Sequence, residues 1–218
     1  MNIIETKKMT DFNHLNLFSI KYQDRIGNPK SWIFASRSEI PDVMNADKKL
    51  NEIELNETNI DKTKNTANQA PHAMNQKPHA VVLVPFHQEY QKLVIIKEFR
   101  VPLGDYQYGF PAGLMDKGEQ IEETAARELR EETGLDITSV IRTSPVIYSS
   151  SGMTDESIAL VYVNCTGTPS VKWNEDSEDI TVLMVSSKDA QELVSTPGIK
   201  FDVKSWIVLS TFARTGKI

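Results

Sequence analysis

The segment GLMDKGEQIEETAARELREETGL, residues 113–135, constrains the fold of this chain more than any other stretch. Apolar residues recur in it at a spacing of four, which predicts a helix over residues 121–133 with one apolar stripe. The stripe consists of Ile121, Ala125 and Leu129. Gly134 is a natural C-terminal stop for this helix, whereas Gln120 is a poor N-terminal cap. We therefore interpret PAGLMDKGEQ as a loop that leads into a helix.

Three glutamates crowd one side of the predicted helix. Glu128 and Glu132 are four residues apart and share a face, and Glu131 borders them. Like charges at this spacing repel, so the cluster makes most sense beside cations such as Mg²⁺, which takes oxygen ligands and leaves room for substrate phosphates. Arg127 can offset part of the charge or orient a carboxylate. The alternative interpretation is a solvated acidic face, which is what charge runs usually are.

The rest of the chain predicts a mixed α/β architecture. Residues 17–37 contain two strand-like segments, LFSIKY and SWIFAS, on either side of a Gly-Asn-Pro turn. Further strands are predicted in AVVLVPF, KLVIIKEF, DYQYGF, VIRTSPVIYSS, SIALVYVNC and EDITVLMVS. Ser187 can cap a helix through KDAQELV, and DVKSWIVLSTFAR is predicted to be a closing helix. This pattern favours an α/β sandwich with a mixed sheet, preceded by a small antiparallel β region.

Residues 45–79 interrupt this pattern. The segment is rich in Asn, Lys, Thr and Glu and poor in large apolar residues, so we interpret it as a flexible insertion or linker. It separates a β-strand region, residues 1–44, from a larger domain, residues 80–218. Because two strands alone bury too little apolar surface, we expect the N-terminal region to pack on the main domain or on a second subunit.

Composition argues against several classes of protein. Charged residues make up 25% of the chain and apolar residues 39%, as in ordinary globular proteins. The net charge of −6 argues against a nucleic-acid binder, which usually presents a basic face. Cys165 is the only cysteine, so no intrachain disulfide can form, and neither a signal peptide nor a membrane-spanning run is apparent. We expect a cytoplasmic protein that binds neither nucleic acid nor membrane.

The spacing of the charged segment is more specific than its composition. Its defined positions are Gly113, Glu119, Arg127, Glu128, Leu129, Glu131, Glu132, Gly134 and Leu135. Seven of these nine positions, all but the apolar Leu129 and Leu135, have a fixed identity, and seven identities at residue frequencies of about one in fifteen coincide by chance on the order of once in 10⁸ starting points. This spacing matches the Nudix box at every defined position. The flanking segments IIKEFRVPLGDYQYGFPAGLMDKGE and SSSGMTDESIALVYV resemble the ADP-ribose pyrophosphatase branch of that family.

This resemblance implies a Nudix α/β/α sandwich with a metal site on the box helix. The implied ligands of Mg²⁺, with Mn²⁺ as an alternative, are Glu128, Glu132 and the Ala112 carbonyl, and Glu131 is a shared or auxiliary ligand. Glu119 more often supports such a site than ligates metal. Two or more ions would bridge the pyrophosphate oxygens and lower the pKa of a bound water, which is the chemistry that pyrophosphate cleavage needs.

A further carboxylate is expected to align or deprotonate that water. In the ADP-ribose branch it comes from the loop after the box, and the matching residue here is Glu156, with Asp155 as its competitor. Together with Glu131 and Arg127 on the box helix, Glu156 makes up the implied catalytic set.

The resemblance also implies residues that bind substrate. Arg100 follows an apolar strand and suits a bidentate phosphate contact. Trp32 lies where the branch often stacks adenine on an aromatic ring across a dimer interface, and Arg37 is a weaker candidate of the same kind. A homodimer is therefore expected. The branch typically has a proline sixteen residues after the box, and here that position is Ser151, which is a departure in the substrate-determining region.

The function implied by the resemblance is hydrolysis of ADP-ribose or a related ADP-sugar to AMP and a sugar phosphate. A second hypothesis keeps the chemistry but changes the substrate to another nucleotide sugar, NADH, a dinucleoside polyphosphate or an oxidised nucleoside triphosphate. A third, non-enzymatic hypothesis is a nucleotide-binding regulatory domain, which loss of box carboxylates would favour. None of the box carboxylates is lost in this sequence.

Overall fold

The computed structural model describes residues 1–39, 41 and 77–218. The chain divides into two compact units, Met1–Lys77 with Tyr148–Ser157, and Pro78–Ile147 with Ile158–Ile218. Up to residue 76, the segment interpreted as an insertion lies outside the described residues. None of the helices within the described ranges has the length and apolar character needed to cross a membrane.

A three-stranded antiparallel sheet forms the basis of the first unit. Its strands, in spatial order, are β1 (Asn2–Lys8), β2 (Asn16–Gln23) and β3 (Pro29–Ser36). β2 and β3 confirm the two predicted strands, and their facing residues Phe18 and Phe34 form a small core with ring centroids 5.6 Å apart. β1 is an additional strand that its polar sequence does not reveal, because it forms by pairing with β2.

The larger sheet has the order β11-β5-β4-β10-β8, with β6 on β5, β7 on β4 and β9 on β10. Its strands are β4 (Ala80–His87), β5 (Lys92–Arg100), β6 (Asp105–Gly109), β7 (Ala112–Leu114), β8 (Asp136–Thr143), β9 (Ile147–Tyr148), β10 (Ser157–Thr166) and β11 (Ile180–Val185). β10 is parallel to β4 and antiparallel to β8, so the predicted mixed sheet is confirmed.

Strand boundaries differ from the prediction in two places. The start of the segment interpreted as a loop forms β7, because Ala112 and Gly113 find pairing partners on β4. The segment VIRTSPVIYSS is not one strand: β8 ends at Thr143 and β9 begins at Ile147. Pro145 interrupts the segment, since proline cannot donate a hydrogen bond to a neighbouring strand.

Three helices complete the described part of the second unit. They are α1 (Ile121–Thr133), α2 (Ser187–Ser195) and α3 (Val203–Thr215). α1 has the predicted bounds and ends at Gly134, which adopts a left-handed φ of 71°. Glu123 accepts a hydrogen bond from the Gln120 backbone at 2.8 Å, which compensates for the poor cap. The cap of α2 is Ser186 rather than the predicted Ser187, because its hydroxyl accepts from the Asp189 backbone.

The helices cover both faces of the larger sheet. Successive residues of β4 and β5 point to opposite faces, so each strand contributes to two apolar layers. On the α1 side the layer contains Val81, Leu83, Val94, Ala125, Leu129, Val161 and Val163. On the side of α2 and α3 it contains Val82, Val84, Leu93, Ile95, Ala190, Leu209 and Phe212. This confirms the α/β/α sandwich and fixes α1 against the sheet beside β7.

Candidate active site

Arg127 on α1 holds together the carboxylates of the predicted box. Its Nε and Nη2 atoms each lie 3.0 Å from an oxygen of Glu119. Its Nη1 atom donates to Glu128 at 2.7 Å and to Glu131 at 3.1 Å, and Nη2 also donates to the Leu114 carbonyl at 3.0 Å. Because a guanidinium has five donors in one plane, these contacts orient three acidic side chains at once.

Glu119 lies at the entrance to the helix and is held by three kinds of donor. Besides Arg127, it accepts hydrogen bonds from the Thr124 hydroxyl at 2.6 Å and from the Asp116 backbone at 3.0 Å. Hydrogen bonds from Arg127, Thr124 and Asp116 lower the pKa of Glu119 to about 2. Glu119 is therefore a fixed anion that joins the loop before α1 to Arg127.

Glu128 and Glu132 are buried, with only 8% and 5% of each residue exposed. Burial raises the pKa of both carboxyls, and the charge of Glu128 raises that of Glu132 further. The Ala112 backbone donates to Glu132 at 3.1 Å, and no cationic side chain in the described ranges pairs with Glu132. A buried carboxylate without a cationic partner is costly unless a cation binds beside it.

Gly113 on β7 makes room for one of these carboxylates. A Cβ atom on Gly113 would lie 1.8 Å from Oε1 of Glu128, which is far inside van der Waals contact. Only glycine therefore allows the Glu128 carboxylate to reach this place beside the β7 backbone. The fixed glycine of the sequence motif thus has a steric reason here.

The donor set fits a hard divalent cation. Glu128 and Glu132 supply buried carboxylate oxygens. The Ala112 backbone contacts Glu132, so its carbonyl is a candidate third oxygen ligand. Across residues 1–39, 41 and 77–218, no group of three or more His, Cys, Asp or Glu side chains is arranged to hold a metal. Two of the box carboxylates, Glu128 and Glu131, pair with Arg127 instead.

Trp32 lies on β3 in the first unit, at one side of an apolar pocket of about 230 Å³. The pocket is lined by Ile20, Trp32, Phe34, Tyr148, Ser151, Thr154 and Asp155. The Trp32 indole donates to the Gly152 carbonyl at 3.2 Å, which fixes the ring while leaving it half exposed. A planar aromatic wall of this kind can stack on a flat ring. Ser151, the departure from the branch, lines the same pocket.

Arg37 and Glu156 come together in the first unit. Arg37 Nε lies 3.5 Å from Glu156 Oε2, and both side chains are partly exposed. Asp155 differs, because it accepts a hydrogen bond at 2.7 Å from the fully buried Ser36 hydroxyl. The Asp155 side chain is therefore anchored to β3, whereas the Glu156 side chain makes a long ion pair with Arg37.

Arg100 is the last residue of β5 and pairs with Glu98 at 2.6 Å. It lines a second, polar pocket together with Gln107 on β6 and Lys204 on α3. Sequence reasoning did not identify Glu98, Gln107 or Lys204. The alternation of Glu98 and Arg100 along one strand is a local signal, but Lys204 is brought in by tertiary packing alone.

Comparison with known proteins finds relatives that are named as Nudix hydrolases or ADP-ribose pyrophosphatases. "Putative nudix hydrolase 2" of Caenorhabditis elegans is 34% identical over 124 residues, which is 55% of this chain and 54% of that protein. "ADP-ribose pyrophosphatase" of Bacillus subtilis is 32% identical over 115 residues, 52% of this chain and 61% of that one. The chain thus spans little more than half the length of these curated relatives.

A solved structure shares the fold. The crystal structure of an ADP compounds hydrolase superposes with a TM-score of 0.64 at 16% identity, covering 100% of this chain and 96% of that one. The model of the NUDIX domain matches residues 77–203, which include every box residue described above. The chain therefore belongs to the Nudix family.

Proposed function

We propose that this chain is a metal-dependent hydrolase that cleaves the pyrophosphate bond of ADP-ribose or a related ADP-sugar into AMP and a sugar phosphate. The observation that carries the proposal is the pair of buried glutamates, Glu128 and Glu132, beside the β7 backbone. The names of the relatives, among them an ADP-ribose pyrophosphatase of Bacillus subtilis, support the substrate.

Glu128, Glu132 and the Ala112 carbonyl would hold the cation, with Glu131 as an auxiliary ligand. A bound Mg²⁺, or Mn²⁺ in its place, supplies neutralisation of phosphate charge and a water of lowered pKa. Arg127 keeps the carboxylates of Glu128 and Glu131 oriented, as its contacts at 2.7 and 3.1 Å suggest. The box side chains thus prepare a binding site for a pyrophosphate.

Glu156 is the proposed general base, which takes a proton from the attacking water at one of its carboxylate oxygens. Asp155 is the weaker candidate, because its carboxylate is committed to Ser36 at 2.7 Å. The Arg37 contact with Glu156, at 3.5 Å, is long enough to be exchanged for a substrate contact.

Three residues are proposed to bind substrate. The Trp32 pocket, with its aromatic wall, suits the adenine ring, and Arg37 beyond the end of β3 would contact the nucleotide. Arg100 would contact a phosphate, since its guanidinium is half exposed. Ser151 lines the Trp32 pocket, so it would affect which nucleotide base the pocket binds.

We also infer a homodimer in the cytoplasm. The three-stranded sheet of the first unit exposes apolar side chains of β2 and β3, including Leu17 and Ile33, which a second subunit would cover. The lone buried Cys165 suits a reducing compartment. Light scattering at micromolar concentration tests the dimer, and a monomeric mass contradicts it.

A substrate panel tests the activity. The full chain would be incubated with Mg²⁺ and ADP-ribose, ADP-glucose, NADH, a diadenosine polyphosphate or an oxidised dGTP, and the products separated by chromatography. We expect AMP and ribose 5-phosphate to form fastest from ADP-ribose. Preference for another compound keeps the Nudix chemistry and moves the substrate, whereas tight binding without cleavage supports the regulatory alternative.

A further inference from the structure

The polar pocket beside Arg100 has a floor built by one face of the β5–β6 hairpin. In the register of this hairpin, Ile96 faces Gly109 and Glu98 faces Gln107. Because side chains alternate along a strand, Glu98 and Gln107 point to the same side as Arg100. Gly109 has no side chain there, so the floor stays open above the buried Phe110.

Helix α3 closes this pocket from the opposite side. Its cap Asp202 and its second residue Lys204 both line the cavity, and Lys204 Nζ lies 3.2 Å from Asp202 Oδ2. A Cβ atom on Gly109 would stand 3.6 Å from the same Asp202 oxygen. The pocket also reaches Ala112, whose backbone bonds the buried Glu132. It is therefore contiguous with the proposed metal site.

The charges of the pocket are balanced in pairs. Arg100 pairs with Glu98 at 2.6 Å, and Lys204 pairs with Asp202 at 3.2 Å. Beyond the phosphate proposed to contact Arg100, a further anion would meet two cations and two carboxylates, so the pocket offers it little net attraction. Hydroxyl groups are served better, because each can donate to a carboxylate and accept from a cation or an amide. The Gln107 amide, which has no hydrogen-bond partner among the described residues, supplies both functions.

We propose that Gln107 and Lys204 bind the hydroxyl groups of the sugar that forms the X part of the substrate, an assignment that rests on the proposed function. The cavity, at about 70 Å³ against about 230 Å³ for the Trp32 pocket, suits small polar groups rather than a nucleobase. Because the pocket adjoins the proposed metal site, a sugar bonded to the cleaved phosphate would reach it. Gln107 and Lys204 are thus specificity-determining residues. They would favour a nucleoside diphosphate whose X group is a sugar over one whose X group is apolar.

The test measures binding without catalysis. Ribose 5-phosphate and butyl phosphate, which share a phosphate but not the hydroxyl groups, would be titrated into the full chain in EDTA and followed by ligand-observed NMR. We expect Gln107→Leu and Lys204→Met each to weaken binding of ribose 5-phosphate about five- to tenfold, as loss of a hydrogen bond does. Binding of butyl phosphate should not change.

Lys200→Met is the matched control, because Lys200 pairs with Asp105 at 2.6 Å and does not line the pocket. Asp202 is left intact, since it caps α3 through Ser205. Equal affinity of the wild type for the two phosphates, or unchanged affinity in both variants with native melting temperatures, would overturn the proposal. Failure of the proposed function is seen separately, as absence of AMP when the wild type meets ADP-ribose and Mg²⁺.

Discussion

The Nη1 atom of Arg127 lies 2.7 Å from Oε1 of Glu128 and extends the same contact to Glu131 at 3.1 Å. The other guanidinium nitrogens of Arg127 bind Glu119. One cation thus joins the loop before α1 to two carboxylates on it. An ammonium group has no planar fork, so it cannot span these three partners at the same distances.

Replacement of Arg127 by lysine should therefore lower activity while leaving the fold intact. We expect kcat/KM for the best substrate to fall about 10- to 100-fold, the usual cost of losing a residue that orients metal ligands. The affinity for Mg²⁺, measured by calorimetry, should fall in parallel. Arg130→Lys is the matched control on the same helix, since the exposed Arg130 side chain contacts Asp136 at 3.7 Å and none of the box carboxylates. Similar kinetics for the two variants would remove the orienting role.

A methyl group at Gly113 should displace the Glu128 carboxylate. The Cβ atom of Gly113→Ala would lie 1.8 Å from Glu128 Oε1, so the side chain must move by more than an ångström. A displacement of that size at a reacting centre costs about 100-fold in rate. We expect kcat to fall by that factor with Mg²⁺ saturating. Gly152→Ala is the control, because a Cβ atom there meets nothing within 4 Å.

The box helix could be predicted to the residue because its signals are local. The apolar stripe repeats at helical spacing, and Gly134 provides the left-handed residue that ends the helix. Strands β1 and β7 could not be predicted in this way. The polar β1 and the three-residue β7 form because β2 and β4 offer them pairing partners. The stabilisation that a strand gains from pairing depends on its neighbours in the tertiary structure, so its own sequence does not reveal it.

The candidate site divides in the same manner. Glu128, Glu131 and Glu132 could be found because one helix carries them at a fixed spacing. Gln107 and Lys204 could not, because they lie far apart in sequence and meet only when α3 packs over the β5–β6 hairpin. Residues that a single element presents are accessible to sequence reasoning, whereas a pocket between elements is not.

Acid should weaken the contact between Glu119 and Arg127. The folded protein lowers the pKa of Glu119 from 4.5 to about 2, so the ionised carboxylate contributes stability above pH 4.5. That contribution is lost as the pH falls from about 4.5 towards 2. The wild type should lose more melting temperature than Glu119→Gln when the pH is lowered from 6 to 3, because the variant has no carboxylate to protonate at this position. Equal differences would mean that Glu119 titrates as an ordinary surface carboxylate.

Glu132→Gln should separate stability from activity. Glu132 is 5% exposed and has no cationic partner in the described part of the chain, so its charge destabilises the metal-free fold. The amide can still accept from the Ala112 backbone. We expect the metal-free variant to unfold at a higher urea concentration than the wild type at pH 7, because the neutral amide needs no counter-charge in the interior. Turnover with Mg²⁺ should fall about 10³-fold, and normal turnover would disprove the ligand assignment.

Glu156→Gln should slow the chemical step with little effect on the metal. The Glu156 carboxylate makes a long contact with Arg37 at 3.5 Å, and the backbone of Glu156 bonds Thr154 and Ser149, so the amide should fit without disturbing the loop. Loss of a general base lowers kcat by about 10²- to 10⁴-fold, whereas the affinity for Mg²⁺ should change less than twofold because Glu156 is not a proposed ligand. Asp155→Asn is the comparison variant. Because Asp155 is anchored to Ser36, this substitution should lower the melting temperature of the protein and leave kcat nearly unchanged. If Asp155→Asn shows the larger loss of kcat at unchanged melting temperature, the base is Asp155 and the assignment to Glu156 fails.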